Sequence, residues 1–132
     1  MTQRLNIIIT TIFLLTFCFS YGQTKLSLKE RARKFVKHLK SNDNYPMGGK
    51  DTLIDLNGDN FKDILIEFYA LAGTGEKNGV DVYLYNNSKK KFVQCEQLNY
   101  LANPTFYRDK KIVVGYYLGN GGGALLNLNG TV

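Results

Sequence analysis

The chain has 132 residues, 44% of them hydrophobic, with nine Tyr, eight Phe and no Trp. That length and apolar share allow one small domain with a real core and exclude a large multidomain assembly. The net charge of +6 is uneven: residues 25–40 carry seven Lys or Arg against Glu30 alone, while residues 41–132 sum to −1. The basicity therefore belongs to one segment, not to the domain as a whole.

The opening stretch, "MTQRLNIIITTIFLLTFCFSYGQT", reads as a signal peptide over residues 1–22. Arg4 supplies the positive start, residues 7–19 the apolar stretch, and Ser20 and Gly22 the small residues before a cleavage site at Gln23. The apolar run is shorter than the ~20 residues a membrane span needs. The expectation is a periplasmic or secreted protein with a single domain over residues 23–132 and no membrane span. A lipoprotein anchor on Cys18 is the rival, disfavoured by Phe17 where a small residue is wanted. Cys18 leaves with the signal peptide, so Cys95 stands alone and no disulfide framework is expected. Cys95 reads as a half-buried thiol in a strand.

Next comes "SLKERARKFVKHLKSN". Ser27 and Glu30 have capping-box spacing, and Leu28, Ala32, Phe35, Val36 and Leu39 form an apolar stripe, which predicts an amphipathic helix over about residues 27–41. Its other side carries Lys29, Arg31, Arg33, Lys34, Lys37 and Lys40. The plain reading is the solvated face of a helix packed on a sheet. The sharper reading is a patch for an anionic envelope surface. Nucleic acid is not expected of an exported chain without aromatics among those charges. His38 reads as a partly exposed helix residue, neither ligand nor base.

From residue 50 the pattern turns to strands. "TLIDL" and "DILIEFYA" flank an aspartate loop, and "LAGTGEKNG" is a glycine loop. "VDVYLYN" alternates, with Val80, Val82 and Leu84 on one face and Asp81, Tyr83 and Tyr85 on the other. "KFVQCEQL", an irregular stretch around Pro104, "IVVGYYLG", the "NGGG" loop and "ALLNL" follow. The expected fold is mainly β, an antiparallel meander or sandwich preceded by one helix. Asn129-Gly130 is a hairpin turn signal with no strand after it in the sequence. Truncation after Val132, leaving residues 124–128 as an apolar edge, is one expectation; internal pairing of that strand is the other.

"DLNGDNFKD" is the strongest chemical signal. Asp55, Asn57, Asp59, the carbonyl of Phe61 and Asp63 fall at alternate positions of one loop, with Gly58 allowing a tight turn. Ca²⁺ takes six to eight hard oxygens, which suits this set. Ile66 and Asn60 stand where an EF-hand needs Glu and Gly, and the flanks read as strands. The expectation is thus a calcium loop between two strands, against the alternative of an Asx-rich turn with no metal.

"DLNGDNFKDILIEF" resembles the Asp-x-Asn-Gly-Asp loops of FG-GAP and VCBS-type calcium repeats. The longer run through "DVYLYNNSKKKFVQ", "LANPTFYRDKKIVVGYY" and "GNGGG" is similar to small exported bacterial proteins whose β fold is like that of the periplasmic inhibitors of i-type lysozyme. The resemblance implies a non-enzymatic, calcium-stabilised module that blocks a cell-wall hydrolase, as inhibitor or immunity protein. Asp55, Asn57, Asp59 and Asp63 match that family's metal loop. The Ser-Gly-x-Tyr loop of the better-known lysozyme inhibitors does not occur in this sequence, so the resemblance points to a lysozyme-like peptidoglycan hydrolase and puts lysozyme itself, as the target, in question. A carbohydrate-binding or adhesive module is the alternative.

An enzyme is not expected. One His without a Ser or Cys motif gives no nucleophilic triad, and nothing in the sequence pairs Glu67 with Asp81 for glycoside chemistry. The glycine loops read as contact loops. Thr74, Gly75, Gly119, Asn120, Gly121, Gly122 and Gly123 are the candidate partner contacts, with Tyr83, Tyr85, Tyr116 and Tyr117 as anchors.

Overall fold

The computed structural model describes residues 26–71, 76–117 and 122–128. The segment read as a signal peptide and the hairpin signal at Asn129-Gly130 lie outside them. Helix α1 (Leu28–Ser41) starts at the expected capping box: the Ser27 hydroxyl accepts the Glu30 N–H at 3.3 Å, and the Glu30 carboxylate accepts the Ser27 N–H at 2.8 Å. Ala32, Val36 and Leu39 are buried at helical spacing, with Leu28 and Phe35 packed beside them.

Seven strands follow: β1 (Lys50–Ile54), β2 (Asp63–Leu71), β3 (Glu76–Asn86), β4 (Lys91–Gln94), β5 (Leu101–Tyr107), β6 (Ile112–Tyr117) and β7 (Gly123–Asn127). They form two antiparallel meanders, β1-β2-β3-β4 and β5-β6-β7. The expected mainly-β fold with one helix is thus the observed one. "KFVQCEQL" departs from a plain strand: β4 stops at Gln94, and Glu96–Tyr100 forms a 3-10 turn. The stretch around Pro104 is a strand after all, with a register break between Ala102 and Thr105 that accommodates Asn103 at φ 50° and the proline.

The layers are α1, the four-stranded sheet and the three-stranded sheet. Ile64, Ile66, Tyr83, Tyr85 and Phe92 meet the helix on one face. The Phe35 ring lies 5.0 Å from Tyr83 and 5.4 Å from Phe92. Leu65, Val82 and Leu84 meet Leu98, Leu101, Val113 and Ala124 on the other. Each fully buried aliphatic or aromatic side chain contributes about 1.5–3 kcal/mol relative to exposure. β3 is an inner strand covered on both faces. That corrects the expectation for Tyr83 and Tyr85: the alternation is real, but both of its faces are core, and neither tyrosine is available as a surface anchor. Cys95 is likewise fully buried, not half-buried.

The loop between α1 and β1 is tied down by Tyr45, whose hydroxyl donates to the Gly49 carbonyl at 3.0 Å and to the Asp51 carboxylate at 2.8 Å. Gly49 has no room for a side chain: a Cβ there would lie 2.9 Å from the Pro46 carbonyl oxygen, 2.9 Å from the Tyr45 ring and 3.1 Å from Ile66. Gly49→Ala is expected to cost about 1–3 kcal/mol as an overpacking change. Thermal unfolding should show a melting point lower by about 4–8 °C per kcal/mol.

Candidate calcium loop and contact surfaces

The aspartate loop joins β1 to β2 and closes on its own backbone. Asp55 accepts the N–H of Gly58 at 2.6 Å and of Asn60 at 3.0 Å, one on each carboxylate oxygen. The Asn57 amide oxygen accepts the Asp59 N–H at 3.2 Å, and Asp59 accepts the Phe61 N–H at 2.8 Å. These are Asx turns, the local reason that Asp and Asn recur at this spacing. Gly58 at φ 70° and Asn60 at φ 69° supply the left-handed steps.

Asp63 differs from its neighbours. It is fully buried, with one carboxylate oxygen accepting the Leu56 N–H at 2.9 Å and the other the Tyr85 N–H at 2.9 Å. It stitches the loop to β3, a duty that the sequence spacing did not reveal. Burial pushes its carboxyl up to about 6; the two N–H donors pull it down, and the charges of Asp59 and Asp55 push it up further.

The donor chemistry fits Ca²⁺: two surface carboxylates, an amide oxygen and a backbone carbonyl are all hard oxygens. A carboxylate oxygen that accepts one N–H keeps a lone pair for a cation. Among the described residues, however, no three Asp, Glu, His or Cys side chains are grouped so as to hold a metal ion. The side chain of Lys111 runs beside the loop; a Cβ on Gly58 would lie 3.4 Å from its Cε. The loop thus already has a protein cation at its side.

Of the candidate contact residues, Thr74, Gly75, Gly119, Asn120 and Gly121 lie outside the described residues. Gly122 and Gly123 lead into β7, and the Gly122 carbonyl accepts the Tyr117 N–H at 2.8 Å. Tyr116 and Tyr117 end β6 and are exposed. Tyr116 belongs to a larger surface that the sequence reading missed. Val114 sits in register between Thr105 of β5 and Leu125 of β7. Period-two alternation places Val114 and Tyr116 on one face, and Tyr107 is exposed near by on β5. This outer face of the three-stranded sheet is uncovered among the described residues, with Tyr116 58% and Leu125 67% exposed. "IVVGYY" carries no alternation of polar and apolar residues, so the sequence held no signal for which face is outer.

A cleft of about 720 Å³ opens where β2 and β3 meet the irregular part of β5. Lys50, Glu67, Phe68, Tyr69, Asn103 and Phe106 line it. Asn103 is held there by accepting the Asn78 N–H at 3.0 Å. Glu67 and Asp81 do not converge. Asp81 pairs with Ile66, so the adjacent Glu67 points to the opposite sheet face. His38 is exposed on α1 with its ring 3.0 Å from the Asn42 side-chain nitrogen.

No protein-family model matches the chain, and neither the curated proteins nor the solved structures contain a match to it.

Asp63→Ala would leave the buried N–H groups of Leu56 and Tyr85 without acceptors, at about 1–3 kcal/mol each. Urea unfolding in chelator should show a loss of several kcal/mol or failure to fold. Asp59→Ala, at an exposed position, should cost about 1 kcal/mol or less under the same conditions.

Proposed function

We propose that the protein is an exported, non-enzymatic binding module, stabilised by calcium at the loop of Asp55, Asn57, Asp59 and the Phe61 carbonyl. Its partner is a protein, and a peptidoglycan hydrolase is the class implied by the resemblance. The observation that carries this reading is the uncovered outer face of β5-β6-β7. A row of Tyr107, Val114, Tyr116 and Leu125 in water is unfavourable and is relieved by a partner, and exposed tyrosines beside aliphatic groups suit a protein interface. A glycan-binding module is the second reading, favoured by the cleft, where Phe68 and Tyr69 stand beside Glu67 and Asn103.

Calcium is given a structural role. Extracellular calcium modules bind with Kd of about 10⁻⁴–10⁻³ M. At roughly 10 mM calcium this occupancy stabilises by about 1.4–2.7 kcal/mol through mass action. The melting point should rise by about 5–20 °C over a chelated sample. Magnesium should do much less, and Asp59→Ala should remove most of the shift. Equal melting points in chelator and in calcium would make the loop an Asx turn only.

Partner capture from envelope extract tests the rest. Retention of a hydrolase at one-to-one stoichiometry supports the inhibitor; retention on purified glycan alone supports the second reading. Tyr116→Ala combined with Leu125→Ser should weaken hydrolase retention at least tenfold, the loss expected of interface anchors. The melting point should be nearly unchanged, because both side chains are exposed. Unchanged retention would remove this face from the interface.

A further inference from the structure

Two basic runs that are far apart in the sequence meet in the fold. One is α1; the other is the β3–β4 turn with Lys89 and Lys90, followed by Lys91 at the start of β4. Arg31 joins them. Its Nη1 donates to the Lys90 carbonyl at 3.5 Å and its Nε to the Leu26 carbonyl at 3.1 Å. The packing of Phe35 on Phe92 fixes the same junction at 5.4 Å. Residues three apart on a helix are neighbours, so Lys34 lies next to Arg31 on the side that faces the turn, whereas Lys37, four residues from Arg33 and three from Lys40, turns toward the other flank. Lys34, Lys89, Lys90 and Lys91 are all exposed.

Within these two segments there is little neutralisation; the nearest acidic segment, the loop of Asp55 and Asp59, belongs to the β1–β2 connection at the same end of the sheet. The one salt bridge among the described residues, Lys40 to Asp51 at 3.3 Å, lies on the other flank, toward β1. Glu30, the only carboxylate of α1, is engaged with Ser27 in the cap. Like charges gathered this way repel, and a polyanion relieves that repulsion.

We propose that the turn-facing flank of α1 and the Lys89–Lys91 turn form one cationic surface that binds an extended, phosphate-bearing polymer. This inference uses a different surface from the proposed protein interface and stands or falls without it. A lipid bilayer is the poorer occupant. Helices that lie on membranes bury their apolar stripe in the lipid, whereas here Ala32, Val36 and Leu39 are in the core. None of the large exposed hydrophobic residues among those described lies on α1 or in residues 87–91. Base reading is equally unsupported. Phe35 and Phe92, the aromatics at the junction, pack into the helix–sheet core and leave no stacking platform. Binding then follows charge density alone.

The test is equilibrium binding of the full chain to linear polyphosphate across a series of salt concentrations. Affinity should fall steeply with salt. Lys89→Gln/Lys90→Gln/Lys91→Gln should weaken binding roughly tenfold and Lys34→Gln severalfold, each flattening the salt slope by about 1 per lysine. Lys29→Gln/Arg33→Gln, on the β1-side flank with Lys40, should change it less than about twofold, since only charges in contact with the polymer release counterions. Circular dichroism melting of each variant keeps folding separate from binding. The proposal is overturned if polyphosphate does not bind at low salt. It is also overturned if the β1-side variant loses as much as the turn variant. Stronger binding to anionic vesicles of equal phosphate count would overturn it as well.

Discussion

A single buried carboxylate holds the two halves of the central sheet to one geometry. Asp63 opens β2, yet its oxygens accept N–H groups from Leu56 and from Tyr85. The first bond sets where the β1–β2 connection must return; the second fixes β2 against the far end of β3. Because side chains alternate with a period of two, a one-residue slip there would turn Ile64 and Ile66 away from the helix and Leu65 toward it. Both cores depend on that register. The cost of burying a carboxylate is tolerated because both oxygens have donors.

The layered arrangement follows from that register. The four-stranded sheet is buried on both sides, so it needs two covers, and the chain supplies different ones. α1 covers one face with a narrow aliphatic stripe and the Phe35 ring. The three-stranded sheet covers the other. A helix presents one apolar stripe and keeps its remaining surface charged, whereas a sheet used as a cover has a second face of its own. The outer face of β5-β6-β7 is that second face, and it is the reason that the exposed row of Tyr107, Val114, Tyr116 and Leu125 lies there and not on the helical side. The two sides of the protein thereby acquire different chemistry: tyrosine and aliphatic groups at one, lysine and arginine at the other.

The helix and the run of antiparallel strands were legible in the sequence because each rests on local chemistry. Ser27 and Glu30 announce a cap, and alternation in "VDVYLYN" announces a strand. What local pattern could not supply was the number of covers. Tyr83 and Tyr85 looked like a polar face because tyrosine is found equally in cores and at surfaces, and only the arrival of α1 decides between them. The 3-10 turn at Glu96–Tyr100 was hidden for the same reason: Leu98 is drawn into the core between the sheets, against the strand pattern of its neighbours. In the aspartate loop the residue types were legible but the division of labour was not. Asp55 and Asp59 face loop N–H groups at the surface, while Asp63 serves the core, and spacing alone treats all three alike.

Topology also concentrates charge at one end. Tyr85 donates to Asp63, so the β1–β2 loop and the β3–β4 turn, which starts just beyond Tyr85, share the same end of the sheet. Lys111, in the β5–β6 turn, runs beside Gly58 at that end too. An acidic loop therefore sits among three basic segments: α1's first turns, the Lys89–Lys91 turn and the Arg108–Lys111 turn. Coulomb interactions at a surface are modest pair by pair and are screened beyond about 8 Å at physiological salt. Summed over such a cluster they still orient an approaching charged body. A cation in the aspartate loop would add to the positive field of its neighbours, not oppose it. Any cation held there would strengthen the attraction of anions at this end, and that effect would need no change of fold.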